Sequence, residues 1–236
     1  MDCRPFFFKK FGLFHHRSTM KIGTDAILLS RWVEVTENDD VLDIGTGCGL
    51  IPLMLAQKGI KTADAVEIDR DSYEEAAQNF INSAWKSRLL AINDDIKHYS
   101  ITCGKKYDLI VSNPPFFFGD NIPEKVKKGL ARHTNTLSYN DLLVSVKRLL
   151  KPNGRFVLVL PARESRTFLK DAENQGFYIQ KEMKIVPVEG KEPNRINMQL
   201  VVNQVETIES ETFVLRYHDH SFTKEYKEFL KDYYLD

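Results

Sequence analysis

The segment Val41-Leu-Asp-Ile-Gly-Thr-Gly-Cys-Gly49 constrains the fold more than any other stretch of the chain. A short apolar run passes directly into three glycines at alternate positions, and an apolar helix pattern begins at Leu50. A strand that ends in such a turn and continues as a helix opens a βαβ unit, whose glycines let the backbone approach a ligand that side chains would exclude. The same rhythm runs on. Residues 40–44 read as a strand, 51–57 as a helix, 63–68 as a strand, 72–81 as a helix and 88–92 as a strand. Residues 107–112 follow as a near-continuous apolar strand, 141–150 as a helix and 155–160 as a strand, with Lys151-Pro-Asn-Gly154 as a helix stop and turn. This alternation predicts an α/β fold with a parallel sheet covered by helices. Beyond Pro161 come one helix, 163–175, and two strands, around 177–188 and 197–202. The link Glu189-Gly-Lys-Glu-Pro193 is too short for a crossover helix, so that pair is expected to be antiparallel. Upstream, residues 24–33 read as a helix capped by Thr24.

The details of the glycine turn select among ligands. A dinucleotide fingerprint, G-x-G-x-x-G, would need glycine at position 50 after Gly45 and Gly47, but Leu50 stands there and the third glycine is Gly49. Asp43 beside the turn would repel a pyrophosphate, whereas it would attract the ammonium and sulfonium charges of S-adenosylmethionine. Glu67 ends the next strand at about the 20-residue interval where a carboxylate takes a ribose hydroxyl pair. After the third strand, Asp94 and Asp95 are each either a helix N-cap or an acceptor for an adenine amino group. Asp95, beside the apolar wall of Ile96, is the preferred ligand. The expected cofactor contacts are therefore the turn residues Gly45, Thr46, Gly47, Gly49 and Leu50, with Asp43, Glu67 and its neighbour Ile68, and Asp95 with Ile96.

Asn113-Pro-Pro-Phe116 follows the apolar strand directly, at the carboxyl end of the sheet where open α/β folds bind ligands. Two consecutive prolines fix φ and remove two N–H donors, leaving a rigid turn rich in acceptors. Such a turn suits a substrate NH2 group. The amine of adenine is a weak nucleophile because its lone pair is delocalised into the ring. The Asn113 side-chain oxygen and the Pro114 carbonyl are placed to accept its two protons and aim the lone pair, with Pro115 stiffening the turn and Phe116 stacking on the base. The base must be splayed out, which is easier from a single-stranded loop than from a duplex. The plainer alternative is a stiff corner in which Phe116, Phe117 and Phe118 only pack.

Composition narrows the partners. Lys plus Arg equals Asp plus Glu at 33 each, so no net field draws in a polyanion and a nucleic-acid surface would have to be local. Lys9, Lys10, Arg17 and Lys21 interleave with Phe8, Phe11, Phe14, His15 and His16, which suits either RNA contact or an arm folding its aromatics onto the core. Lys125, Lys127, Lys128, Arg132 and His133 form either a substrate-closing loop or a solvated one. Cys3, Cys48 and Cys103 have no CxxC spacing, and His98, His218 and His220 have no ligand partners at metal spacing, so neither disulfides nor a metal is expected. No apolar run approaches a membrane span, and the N-terminus lacks a signal-peptide pattern, so a soluble cytoplasmic protein is expected. At 236 residues the chain is expected to form one domain: an arm over 1–23, a catalytic core over 24–203 and an extension over 204–236.

Together these motifs resemble class I S-adenosylmethionine-dependent methyltransferases whose NPP[FY] motif marks methylation of an amino group, and among them the bacterial tRNA1(Val) adenine-N6 methyltransferases. The resemblance covers most of the chain. It includes the flanks Met20-Lys-Ile-Gly-Thr-Asp25, Ala84-Trp85, residues 132–137 and the ending 222–235. It implies a Rossmann-like, seven-stranded, mostly parallel sheet with the last strand antiparallel and helices on both faces. It also implies cofactor contacts from Asp43, Gly45, Gly47, Glu67 and Asp95, with Lys21 and Thr24 near the methionine end and Asn113 beside the methyl group. The implied partner is tRNA, the implied acceptor is N6 of the adenine adjoining the anticodon of a valine tRNA, and a monomer is expected. Phe116 stands where many relatives have Tyr. The rival acceptors are a protein glutamine amide and an adenine of rRNA or DNA. Outside this chemistry stand a nicotinamide oxidoreductase, disfavoured by Leu50 and the NPPF turn, and an RNA-binding module without catalysis.

Overall fold

A computed structural model describes residues 4–114 and 137–234. The expected βαβ succession is present. Strand β3 (Asp40–Ile44), helix α2 (Leu50–Lys58), β4 (Thr62–Glu67), α3 (Arg70–Asn82), β5 (Leu89–Asn93), α4 (Ile96–Thr102) and β6 (Tyr107–Ser112) follow one another. They continue as α5 (Tyr139–Leu149), β7 (Leu150–Pro161), α6 (Ala162–Asn174), β8 (Tyr178–Val186), β9 (Arg195–Val201), β10 (Glu209–Val214) and α7 (Lys224–Leu230). Ahead of them lie a short hairpin, β1 (Phe6–Phe7) with β2 (Gly12–Leu13), and α1 (Thr24–Trp32).

The main sheet has the order β10-β8-β9-β7-β6-β3-β4-β5. Its strands are parallel except β9, which runs antiparallel to both β7 and β8. The fold is thus the expected Rossmann-like α/β architecture, but with eight strands in place of seven. The additional strand, β10, pairs parallel with the outer edge of β8. Its sequence, Glu-Ser-Glu-Thr-Phe-Val, is too charged to read as a core strand and suits an exposed edge, where charge discourages further pairing.

The two faces of the sheet bury separate cores. Side chains of α1, α2 and α3, with Val157, Val159, Met183 and Ile185 from the strands, make one. Those of α4, α5 and α6, with Phe156, Leu158, Met198 and Leu200, make the other. The alternation along β9 and along residues 156–160 of β7 assigns each of these residues to one face.

Three local expectations change. Thr24 is the first helical residue of α1 and not its cap, since Gly23 holds the extended cap position with no side-chain hydrogen bond. Lys151-Pro-Asn-Gly154 does stop α5, but these residues bulge within β7, which pairs Leu150 with Tyr107 and Arg155 with Leu109. Proline without its N–H is tolerated at such a bulge. Helix α4, unforeseen beyond its cap, is a single short segment anchored where Tyr99 Oη meets Tyr107 Oη at 2.5 Å. The N-terminal aromatics take the inward alternative: Phe8 and Phe11 are buried, stacked at 4.7 Å, with Phe11 edge-on to Trp85 and Phe8 against Tyr234.

Candidate active site

The site is built at the carboxyl ends of β3, β4 and β6. After Ile44 the chain turns through Gly45, Gly47 and Gly49, with φ of 74°, 56° and 85°, all in the left-handed region that favours glycine. Their surroundings differ. A Cβ on Gly49 would stand 2.6 Å from the Phe80 ring, so this glycine lets α2 pack on α3, whereas a Cβ on Gly45 or Gly47 would meet only open space. The backbone at those two positions is thus open to a ligand. The turn is fixed by Gly45 N donating to Val66 O at 2.9 Å and Gly49 N to Thr46 O at 3.0 Å.

Glu67 braces the same turn. Its Oε2 accepts from Gly47 N and its Oε1 from Asp69 N, each at 2.9 Å. Burial raises its pKa, and these two backbone donors oppose the rise. A carboxylate oxygen has two lone-pair directions, so both retain capacity for a ligand hydroxyl. Ile68, next in the chain, is exposed and offers a flat apolar surface, while Leu50 and Ile96 are buried in the cores. Asn93 donates through Nδ2 to Glu67 O at 2.8 Å and Ile68 O at 3.2 Å, holding this edge in place. Asp95 is the N-cap of α4, accepting from Lys97 N at 2.9 Å, and Asp94 accepts from Asp95 N and meets His98 Nδ1. The capping alternative for Asp95 is therefore present in the structure.

Asp43 is wholly buried on β3, facing the α1 side of the sheet. Neither of its oxygens, nor Thr46 Oγ1, has a hydrogen-bond partner of ordinary geometry. Burial pushes the carboxyl up to about 7; the nearby Thr46 hydroxyl counters this and the Glu67 charge adds to it. On the adjacent strand, Ser112 Oγ ties the end of β6 to Ile44 O at 2.9 Å, and the next residue, Asn113, carries a buried Oδ1 that also lacks a partner. Buried polar atoms are nearly always paired, so unpaired acceptors gathered at one end of a sheet mark a place shaped for a ligand. Pro114 is buried; Pro115 and Phe116, and the basic stretch from Lys125 to His133, lie outside the described residues.

The arm ahead of α1 is clasped to α3 by residues that sequence reasoning did not single out. Glu75 accepts from His16 N, Arg17 N, Ser18 N and Ser18 Oγ at 2.5–3.0 Å. Burial works against its ionisation, yet the Arg17 and Ser18 donors hold its pKa below the ordinary carboxylate range. Asn79 binds both Phe14 N and Phe14 O and donates to Cys48 O in the glycine turn. The signal was a polar pair four residues apart on the buried stripe of an amphipathic helix. Lys21 Nζ donates back to His15 O and His16 O at 2.8 and 3.0 Å, and Thr24 lies exposed at the start of α1. Among the described residues no cluster of metal-ligating side chains occurs, and no helix is long and apolar enough to cross a membrane.

Known proteins agree with this architecture. Residues 6–181 match the methyltransferase small domain family. A tRNA1(Val) (adenine(37)-N6)-methyltransferase of Trichodesmium erythraeum is 38% identical over 100% of this chain and 99% of its own length. One from Parabacteroides distasonis is 36% identical, with 99% of each chain covered. Among solved structures, a predicted O-methyltransferase from Agrobacterium tumefaciens superposes with a TM-score of 0.66 at 15% identity, over 89% of this chain and 96% of that one. A ribosomal protein L11 methylase from Lactobacillus delbrueckii gives 0.52 at 18% identity, over 76% and 77%. The chain belongs to the methyltransferase small domain family, in the group of the tRNA1(Val) (adenine(37)-N6)-methyltransferases.

Proposed function

We propose that this protein transfers a methyl group from S-adenosylmethionine to N6 of an adenine in tRNA, the base adjoining the anticodon of a valine tRNA, acting as a monomer in the cytoplasm. The whole chain serves as one methyltransferase domain, with residues 1–23 as an arm, 24–203 as the catalytic core and 204–236 as an extension. The observation that carries the reading is the pair of unpartnered buried acceptors, Asp43 on β3 and Asn113 one residue past the end of the adjacent strand β6. The names of the full-length relatives supply the polymer.

The residues present fit the cofactor. Gly45 and Gly47 leave room along the turn, Glu67 keeps acceptor capacity for ribose hydroxyls, and Asp43 offers negative charge to a cationic ligand. Ile68 supplies an apolar surface for the adenine ring, and Asp95 retains lone pairs beyond its capping bond. Lys21 and Thr24 would stand at the methionine end. When bound, S-adenosylmethionine supplies a methyl group made electrophilic by its sulfonium.

The chain's own task is to position the acceptor. Asn113 Oδ1 and the Pro114 carbonyl each accept one proton of the substrate amine, which favours a pyramidal nitrogen and turns its lone pair toward the glycine turn. The amine then needs no strong base, because its proton leaves after the carbon–nitrogen bond forms. Pro115 and Phe116 complete the motif, and Phe116 is assigned the stacking role. Incubation with a tritiated methyl donor and either total tRNA or total protein tests the reading. Label is expected in tRNA; label only in protein would assign the site to a glutamine amide instead.

A further inference from the structure

The inward turn of the N-terminal aromatics leaves two lysines on the outside. Phe8 N donates to Phe11 O at 2.8 Å, closing the tip of the β1–β2 hairpin over Lys9 and Lys10. Phe8 and Phe11 are stacked and buried, while Lys9 and Lys10 between them are exposed. Three bonds tie this tip and two helix ends to the end of the chain. Lys9 N donates to Tyr233 O at 2.7 Å, Gln57 Nε2 of α2 to Asp232 O at 3.0 Å, and Arg31 Nε of α1 to Phe229 O at 2.9 Å. Together they frame an open cavity of about 390 Å³ where the hairpin tip, the last turns of α1 and α2 and the segment after α7 meet.

The charge of this cavity is one-sided. Lys9, Lys10, Arg31, Lys58 and Lys231 line it against one carboxylate, Asp232, among the described residues. In a chain whose charges balance at 33 each, five cations to one acid in a single cavity is the local concentration that a polyanion needs. Lys10 makes no ion pair or side-chain hydrogen bond among the described residues, whereas Lys231 meets Glu228 at the rim. Lys58 Nζ donates to Ser30 O, Arg31 O and Val33 O, which covers the negative end of α1 and keeps those carbonyls from repelling an anion. Burial, then the Arg31 charge, lowers the Lys58 pKa to about 8, with Glu34 opposing. Cations crowded in this way gain from an anion between them.

Helix α2 runs from the glycine turn to the cavity, so the two stand at opposite ends of nine residues, about 12 Å apart along the helix axis. At about 3.4 Å of duplex per phosphate along one strand, the offset is roughly four steps. Resting on the tRNA reading above, we propose that this cavity is a second RNA contact, taking backbone phosphates of the stem that carries the acceptor loop and fixing the tRNA across the α1–α2 face. Contacts to backbone charge supply affinity and orientation without reading sequence.

The test compares wild type with Lys10→Ala/Lys231→Ala and with a control pair, Lys147→Ala/Lys170→Ala, which makes the same charge change at exposed positions on α5 and α6, on the opposite face. Binding of unmodified valine tRNA is measured by filter retention over a range of salt, with kcat and KM for methylation. The cavity variant is expected to bind tRNA about tenfold more weakly at physiological salt, with a log–log salt slope shallower by about 1 to 2. Its KM should rise in step while kcat and affinity for S-adenosylhomocysteine stay within twofold of wild type, and the control pair should match wild type throughout. Unchanged tRNA affinity and slope in the cavity variant, or equal losses in the control pair, overturns the second contact. Should the double variant fail to fold, Lys10→Gln carries the same comparison with a slope change of about 1. Wild type that binds tRNA but labels no RNA overturns the adenine reading itself, whatever the variants do.

Discussion

Asp43 shows how one residue reports on the site. In the unfolded chain its carboxyl titrates near 4, but burial raises it to about 7 in the folded protein. The folded state therefore holds this proton more tightly. Its contribution is absent below the unfolded value and becomes a growing destabilisation as pH rises to about 7, at most about 4 kcal/mol. Asp43→Asn is expected to raise the melting temperature of the free protein, by more at pH 8 than at pH 5, as measured by calorimetry. Binding of a cation to the ionised carboxylate should oppose protonation, so wild-type affinity for S-adenosylmethionine should weaken as pH falls below about 7, and Asp43→Asn should lose that dependence. A flat wild-type profile would remove Asp43 from the cofactor site.

Asn113 makes the complementary case. Asn113→Ala is expected to bind the cofactor normally and to lose roughly 100-fold or more in kcat, the scale of removing one well-aimed transition-state hydrogen bond. Both residues were legible in the sequence because their chemistry follows from position, a carboxylate beside a glycine turn and an amide before two prolines.

Apart from α4, the elements from β3 to β9 were readable because each carries one dominant periodicity: near-continuous apolar strands such as β6, and helices such as α6 with a strong apolar stripe. The failures share a cause. Strand β10 and the β7 bulge are held by tertiary pairing against local preference, with exposed glutamates in one and Pro152 in the other. The clasp between the arm and α3 is likewise non-local: Glu75 and Asn79 lie 57 to 65 residues from the arm backbone they bind. Removing Asn79 would leave Phe14 N and the Cys48 carbonyl short of a partner. Asn79→Ala should therefore cost about 2–3 kcal/mol of unfolding free energy in a denaturant titration and weaken cofactor affinity, because Cys48 lies in the glycine turn. A loss of stability with cofactor affinity unchanged would uncouple the arm from the turn.

At the scale of the whole molecule, the charge balance of 33 against 33 offers no general attraction to RNA. Recognition must come from shape and local contacts, and the N-terminal aromatics Phe8 and Phe11, turned inward, are not free for base stacking. The fold and the proposed methyl-transfer site are argued from the sheet and its turns, whereas the polymer is carried by the full-length relatives. The most direct measurement is nucleoside mass spectrometry of purified valine tRNA from cells with and without the protein. N6-methyladenosine is expected beside the anticodon only when the protein is present. The same modification at equal abundance in both would contradict the account.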